Sequence, residues 1–157
     1  MAKLSHRSVI TVHDAGDVDG RLFIAMELVS GTTLGAMVRA RAADDATDWA
    51  RWLTLVIEAG KGLAAAHRAG VLHRDFKPDN VLVDDNGRVC VGDFGLATLG
   101  GDQAELSTRW NIRESALDLT MTGALLGTPG YMSPQQLRGA TVDARADQFS
   151  FCVAAWE

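Results

Sequence analysis

"HRDFKPDN", His73 to Asn80, sets Arg74, Asp75, Lys77 and Asp79 beside a proline and an amide within eight residues. A loop charged only for solubility needs no particular spacing, so the surroundings of the octet decide how it is read. Upstream, from Asp48 to about Arg68, Trp52, Leu55, Val56, Ala59, Leu63 and Ala66 recur at three- and four-residue steps. That spacing predicts a helix with one apolar stripe, ending just before Gly70. Downstream, "NVLVDDNGRVCVGDFG" places two short apolar runs around Asp85-Asn86-Gly87. There Asn86 and Gly87 are expected to take the positive φ angles of a tight hairpin. The octet thus joins a buried helix to a small hairpin. It presents an acceptor at Asp75, a cation at Lys77 and a metal-seeking amide at Asn80, on a turn stiffened by Pro78. The hairpin can fold Asp93, thirteen residues beyond Asn80, back beside that amide. Two oxygen ligands from neighbouring segments suit Mg²⁺, which accepts carboxylate and amide oxygen supplemented by water and phosphate.

Farther out, "VITVHDAG", Val9 to Gly16, and "RLFIAMEL", Arg21 to Leu28, read as a strand pair across the polar turn "DVDG". "SGTTLGAMVRA" opens a short helix with Thr32 or Thr33 as its N-cap. Trp49 and Trp52 read as helix-packing residues and His6 and His67 as surface or capping residues; no His/Cys spacing suggests zinc. From Leu96 to Gly130 the periodicity disappears. A loop of that length is usually functional or disordered. The tail, "DARADQFSFCVAAWE", starts an apolar helix that stops in mid-pattern, which reads as part of a larger domain.

The totals narrow the function classes. A chain of 157 residues supports one domain with a real core. Its 47% hydrophobic and 22% charged content is that of a globular chain rather than a disordered or fibrous one. A net charge of -5 argues against nucleic acid and anionic membranes as partners, since both favour basic faces. Cys90 and Cys152, without a CxxC pair, give no disulfide framework, and a reducing cytoplasm is the expected location. No apolar run approaches the roughly 20 residues of a membrane helix, and "MAKLSHRS" lacks the apolar region of a signal peptide.

"HRDFKPDN" followed by "DFG" at Asp93 to Gly95 resembles the protein kinase family, whose catalytic loop reads HRDxxxxN and whose metal motif reads DFG. The resemblance implies an α+β, protein-kinase-like fold in part. Residues 1–29 would be the end of the small lobe and the hinge, and 30–157 the first part of the helical lobe, with the catalytic loop and activation segment. It implies transfer of the ATP γ-phosphoryl group to protein Ser or Thr hydroxyls, lysine at Lys77 being the serine/threonine pattern. Asp75 would accept or orient the substrate hydroxyl proton, and Lys77 would neutralise charge on the moving phosphoryl. Asp93 and Asn80 would hold Mg²⁺, with His73, Phe94 and Asp147 as structural support.

Other stretches extend the likeness. "FIAMELVSGTTL" is similar to the strand and hinge of the adenine pocket, with Met26 as gatekeeper, the Glu27 carbonyl and Val29 backbone at the adenine edge, and Leu82 as the apolar floor. "LLGTPGYMSPQQ" resembles the end of the activation segment, where Thr128 is expected to hydrogen-bond near Asp75 and Lys77. Arg74 would pair with a phosphorylated activation loop, Thr120 and Thr122 being the implied acceptors. ATP, Mg²⁺, a Ser/Thr protein substrate and a homodimer for trans-autophosphorylation complete what the family implies. The style of the motifs is that of bacterial serine/threonine kinases.

Three departures accompany the likeness. Nothing matches the Gly-rich loop, the β3 lysine or its αC glutamate partner, so a second reading stands beside catalysis: a catalytically inactive kinase-derived fragment that acts as a binding module or is a truncated gene product. Gln135 occupies the place of the usual glutamate of the APE motif. Gly92, before Asp93, is smaller than usual and is expected to loosen its strand. A small-molecule phosphotransferase of related fold is disfavoured by Lys77 and by the "GTPGYMSP" segment.

Overall fold

A computed structural model describes residues 4–19, 21–41, 49–94 and 128–157 of the chain. Strands β1 (Val12–Val18) and β2 (Arg21–Met26) pair antiparallel, from Val12 opposite Met26 to Val18 opposite Arg21. Val9 and Ile10, expected in the first strand, leave it. Both are buried, and the Ile10 N–H donates to the Val91 carbonyl at 2.9 Å while the Val91 N–H donates to Ser8 O at 3.0 Å. An edge ribbon buries only alternate residues. Two adjacent apolar side chains are both covered only by crossing to the inner sheet.

That sheet has the order β3 (Gly31–Thr33), β4 (Val81–Asp84), β5 (Val89–Val91), all antiparallel. Thr33 also caps α1 (Leu34–Ala40), its hydroxyl accepting from the Ala36 N–H at 3.1 Å. The turn between β4 and β5 differs from the expected tight Asn-Gly hairpin. Gly87 has φ 80°, but Asn86 does not take a positive φ. The Asp84 carboxylate accepts from the N–H groups of Asn86 at 2.8 Å and Arg88 at 2.7 Å, and Gly87 N–H donates to Asp84 O at 2.9 Å. An aspartate two residues before Asn86 thereby selects a longer turn with one left-handed glycine.

Helix α2 (Trp49–Arg68) buries Leu55, Ala59, Leu63 and Ala66, and the first three share one core with Leu34, Phe76, Val81, Val83, Val89 and Val91. It ends as its sequence predicts: Gly70 has φ 72°, Gly70 N–H donates to His67 O and Val71 N–H to Ala66 O, each at 2.9 Å. Those two bonds satisfy carbonyls that the helix end leaves over. Trp52 packs against the core and carries the Arg41 guanidinium 5.7 Å above its ring, whereas Trp49, at the first helical position, is 67% exposed and packs little. Among the described residues two further helices follow, α3 (Pro134–Leu137) and α4 (Ala144–Trp156), the latter capped by Asp143, whose carboxylate accepts from the Arg145 N–H at 2.9 Å. Of the stretch from Leu96 to Gly130, residues 96–127 lie outside the described residues, and Pro129–Tyr131 form a 3₁₀ turn.

Gly62 fixes how closely α2 can lie on the segment carrying Val9. A Cβ there would stand 2.1 Å from the Ser8 carbonyl oxygen. Backbone cannot step aside as a side-chain tip can. Gly62→Ala should therefore lower the stability of the chain by about 1–3 kcal/mol, whereas Gly130→Ala, with nothing within 4 Å, should change it by less than about 0.5 kcal/mol. Urea unfolding of both variants measures the contrast, and equal losses would remove the close-approach argument.

Candidate active site

The octet lies between two anchors distant in sequence. Asp147, in the first turn of α4, is 1% exposed, and its carboxylate accepts from the backbone N–H of His73 at 2.7 Å and of Arg74 at 2.6 Å. His67, near the end of α2, adds a third partner with Nε2 2.7 Å from Asp147 Oδ2. A buried carboxylate is tolerable only with such donors. His67 is thus neither a surface nor a capping residue. It joins α2, α4 and the octet.

Between those anchors Arg74 takes φ 67°, which costs a long side chain about 1–3 kcal/mol. The two N–H bonds to Asp147 hold it there. His73, 0% exposed, completes the support. Its ring lies edge-on to Phe76 at 5.6 Å between centroids and tilted against Phe94 at 4.7 Å. Nε2 lies 2.9 Å from the Gly92 carbonyl and Nδ1 faces the Asp75 N–H at 3.3 Å. One nitrogen must donate and the other accept, so the ring is neutral with its proton on Nε2. Burial lowers the pKa of this imidazole, outweighing the opposing pull of the Asp147 and Asp75 carboxylates.

The Asp75 carboxylate projects from this frame. Oδ1 accepts from the Thr128 N–H at 3.0 Å and Oδ2 lies 3.0 Å from the Lys77 ammonium. Lys77 also donates to the Thr128 hydroxyl at 2.7 Å. The expected meeting of Thr128 with Asp75 and Lys77 is therefore present as geometry. Asn80, 7% exposed at the end of the 3₁₀ turn Pro78–Asn80, donates its amide N–H to the Asp75 carbonyl at 2.8 Å.

Asp93 sits differently. Its side chain is exposed, its φ is 55°, and among the described residues it makes no hydrogen bond or ion pair with Asp75, Lys77 or Asn80. The connection is through backbone, Gly92 N–H donating to Asn80 O at 2.9 Å. Gly92 does not loosen its strand. Both of its backbone groups are bonded, and a Cβ there would meet Ile10 Cδ1 at 2.7 Å and Leu82 Cδ1 at 3.4 Å. Its smallness lets Ile10 close over the strand end.

The adenine-pocket candidates lie along β2, the connection after it, and β4. Met26 ends β2 at 39% exposure, Val29 and Leu82 are half-buried, and the Glu27 carboxylate pairs with Arg88 at 2.8 Å. Arg88 also donates to Arg7 O at 2.8 Å, so the hairpin turn holds the backbone before β1 and, through the Glu27 carboxylate, the residue after β2. Sequence reasoning missed Arg88, as it missed Gln136, although Ser133-x-x-Gln136 is a readable capping-box spacing. Thr120 and Thr122 lie outside the described residues.

A family model described as "Protein kinase domain" matches residues 1–157. The chain is 36% identical over 157 residues to the serine/threonine-protein kinase PknL of Mycobacterium tuberculosis, covering 100% of this chain and 35% of that protein. It is 36% identical over 156 residues to the probable serine/threonine-protein kinase pknA2 of Bifidobacterium longum, covering 99% of this chain and 18% of the relative. The crystal structure of the Mycobacterium tuberculosis PknI kinase domain is similar in fold, with TM-score 0.70 and 29% identity over 98% of this chain and 50% of that one. The chain thus spans half of that solved domain and about a third or less of the two curated relatives. Among the described residues, no helix is long and apolar enough to cross a membrane.

Two measurements test the frame. Asp147→Ala should strand the His73 and Arg74 N–H groups and destabilise the chain by at least about 2 kcal/mol, each unpaired buried donor costing about 1–3 kcal/mol; an unchanged urea midpoint would contradict the anchor. Because the folded state holds His73 below the ordinary histidine value of about 6.5, unfolding takes up a proton once pH falls below that value. Stability should therefore decline on acidification from pH 7 toward pH 5. His73→Gln should flatten the decline, and an identical pH slope in that variant would refute the assignment.

Proposed function

We propose, from the premise that the chain belongs to the protein kinase family, that its octet serves ATP- and Mg²⁺-dependent transfer of a phosphoryl group to Ser or Thr hydroxyls of a protein. The observation that carries this reading is the triangle of Asp75, Lys77 and Thr128, with its three contacts of 2.7–3.0 Å. An acceptor for a hydroxyl proton and a cation for phosphoryl charge stand side by side before any substrate arrives. Preorganised charge of this kind is the main catalytic resource in phosphoryl transfer.

In this reading Asp75 receives or orients the proton of the incoming hydroxyl through whichever oxygen the substrate reaches, while the Thr128 N–H and Lys77 keep its carboxylate aimed. Lys77 then offers its charge to the oxygens of the moving phosphoryl. Asn80 and Asp93 would hold Mg²⁺. The fit is chemical: Asn80 spends its amide N–H on the Asp75 carbonyl, which leaves its oxygen as a ligand, and the exposed Asp93 follows Gly92, whose N–H donates to Asn80 O. Among the described residues no cluster of three His, Cys, Asp or Glu could hold a metal alone. An amide and a carboxylate are the small protein share typical of Mg²⁺ bound together with phosphates and water. Such an ion supplies charge neutralisation at those phosphates.

Met26, Glu27, Val29 and Leu82 would contact adenine, and Arg74 would answer a phosphate on Thr120 or Thr122. The names of the curated relatives support the serine/threonine choice. The division at residue 29 into hinge and helical lobe belongs to the same proposal. So do the protein substrate and trans-autophosphorylation between two copies.

The test is transfer of labelled phosphate from ATP to a Ser/Thr protein by the purified chain, with Mg²⁺ present and removed. Asp93→Ala and Asp75→Ala should each lower the rate by about 10²-fold or more, and chelation of Mg²⁺ should abolish transfer. Wild-type rates in either variant, or a chain that neither transfers phosphate nor binds Mg²⁺-ATP, would overturn the reading.

A further inference from the structure

The peptide unit joining Arg74 to Asp75 is gripped at both ends. Its N–H, on Asp75, donates to His73 Nδ1 at 3.3 Å, and its carbonyl, on Arg74, accepts from Gln136 Nε2 at 2.6 Å. The preceding N–H is held by Asp147. Gln136 is itself fixed, since its Oε1 accepts from the Ser133 N–H at 3.0 Å and its own N–H donates to Ser133 Oγ at 3.3 Å. Only one orientation of the side-chain amide satisfies these partners, because turning it over would set NH₂ against N–H and oxygen against carbonyl. Ser133 is 1% exposed, so the cap sits in the packed interior.

We infer that Gln136 is a positioning residue: its side-chain amide locks the Arg74–Asp75 peptide, and through it the Asp75 carboxylate, to helix α3. Arg74 at φ 67° is strained, and rotation of the peptide that follows it offers relief. Such rotation would break the 2.6 Å contact first and swing Asp75 away from Thr128 and Lys77. Residues 128–137 thereby reach Asp75 twice, directly through the Thr128 N–H and indirectly through Gln136. Order in that segment and aim of the carboxylate become one property. The lock stands on contacts alone; its consequence for catalysis rests on the kinase reading above.

Gln136→Glu separates locking from capping. Glutamate keeps the oxygen that caps Ser133, as capping boxes commonly do, but its carboxylate cannot donate to Arg74 O. Amide hydrogen exchange in the nucleotide-free chain, read at Arg74 and Asp75 and normalised to intrinsic rates, should be about tenfold faster than wild type at pH 8. The difference should shrink as pH falls and the glutamic acid regains a proton to donate. Ser133→Ala, which loosens the cap and spares Gln136 Nε2, should leave these two amides near wild type.

Wild-type exchange in Gln136→Glu at pH 8, or an equal rise in Ser133→Ala, would overturn the lock. Should Gln136→Glu exchange rapidly throughout α2, wild-type Gln136 decides instead. Side-chain amide protons as labile as those of exposed Asn86 refute the proposal, and protected ones uphold it. In a form that transfers phosphate, Gln136→Glu should lower kcat with little change in KM for ATP. Failure of the wild type to transfer phosphate counts against the kinase reading only.

Discussion

A carboxylate as deeply buried as that of Asp147 destabilises a fold unless donors meet it, and here they come from three places: the His73 and Arg74 backbone and the His67 ring. The requirement runs in both directions. The backbone N–H groups of a loop with no ladder or helix to join need an acceptor, and α4 supplies one. Since His67 ends α2 and Asp147 begins α4, the same contact sets how the two helices approach and what lies between them. The octet's shape follows from that contact, with Phe76 and His73 buried beneath and Asp75 left outward.

The neighbourhood of Asp75 shows strain and charge placed together. Arg74 and Asp93 are two of the three non-glycine residues with positive φ among the described residues. Aspartate accepts that conformation with little penalty, but arginine does not. Strain at Arg74 turns the next residue out of the packed layer. Once turned, the Asp75 carboxylate is kept from collapsing onto nearby donors by having fixed ones already, Thr128 N–H and Lys77. A charge satisfied by rigid dipoles before reaction needs little rearrangement during it.

Legibility followed the range of the interaction. The α2 stripe, its end at Gly70 and the cap at Thr33 depend on residues within a turn of one another, and the sequence reading names each. The convergence of Thr128 on Asp75 came from family likeness, because nothing local relates residues so far apart. Where two local signals competed, the reading chose wrongly: Asn86-Gly87 suggested a tight turn, while Asp84 offered the nearby N–H groups a better partner. His67 reads as a surface or capping residue for another reason. A histidine near a helix end has an ordinary local explanation, and only the arrival of α4 reveals the acceptor.

The same range argument applies at the two places where the described chain meets the octet on either side of residues 95–127. Phe94 packs on His73 and Thr128 bonds Asp75, so the chain leaves the octet and returns to it within a few residues of the same place. Ring packing at one end, and an N–H, a hydroxyl and a capped glutamine at the other, are short-range contacts made directly on the octet. Asp75 is thus held from two sides, through the packing of Phe94 on His73 and through Thr128 and Gln136.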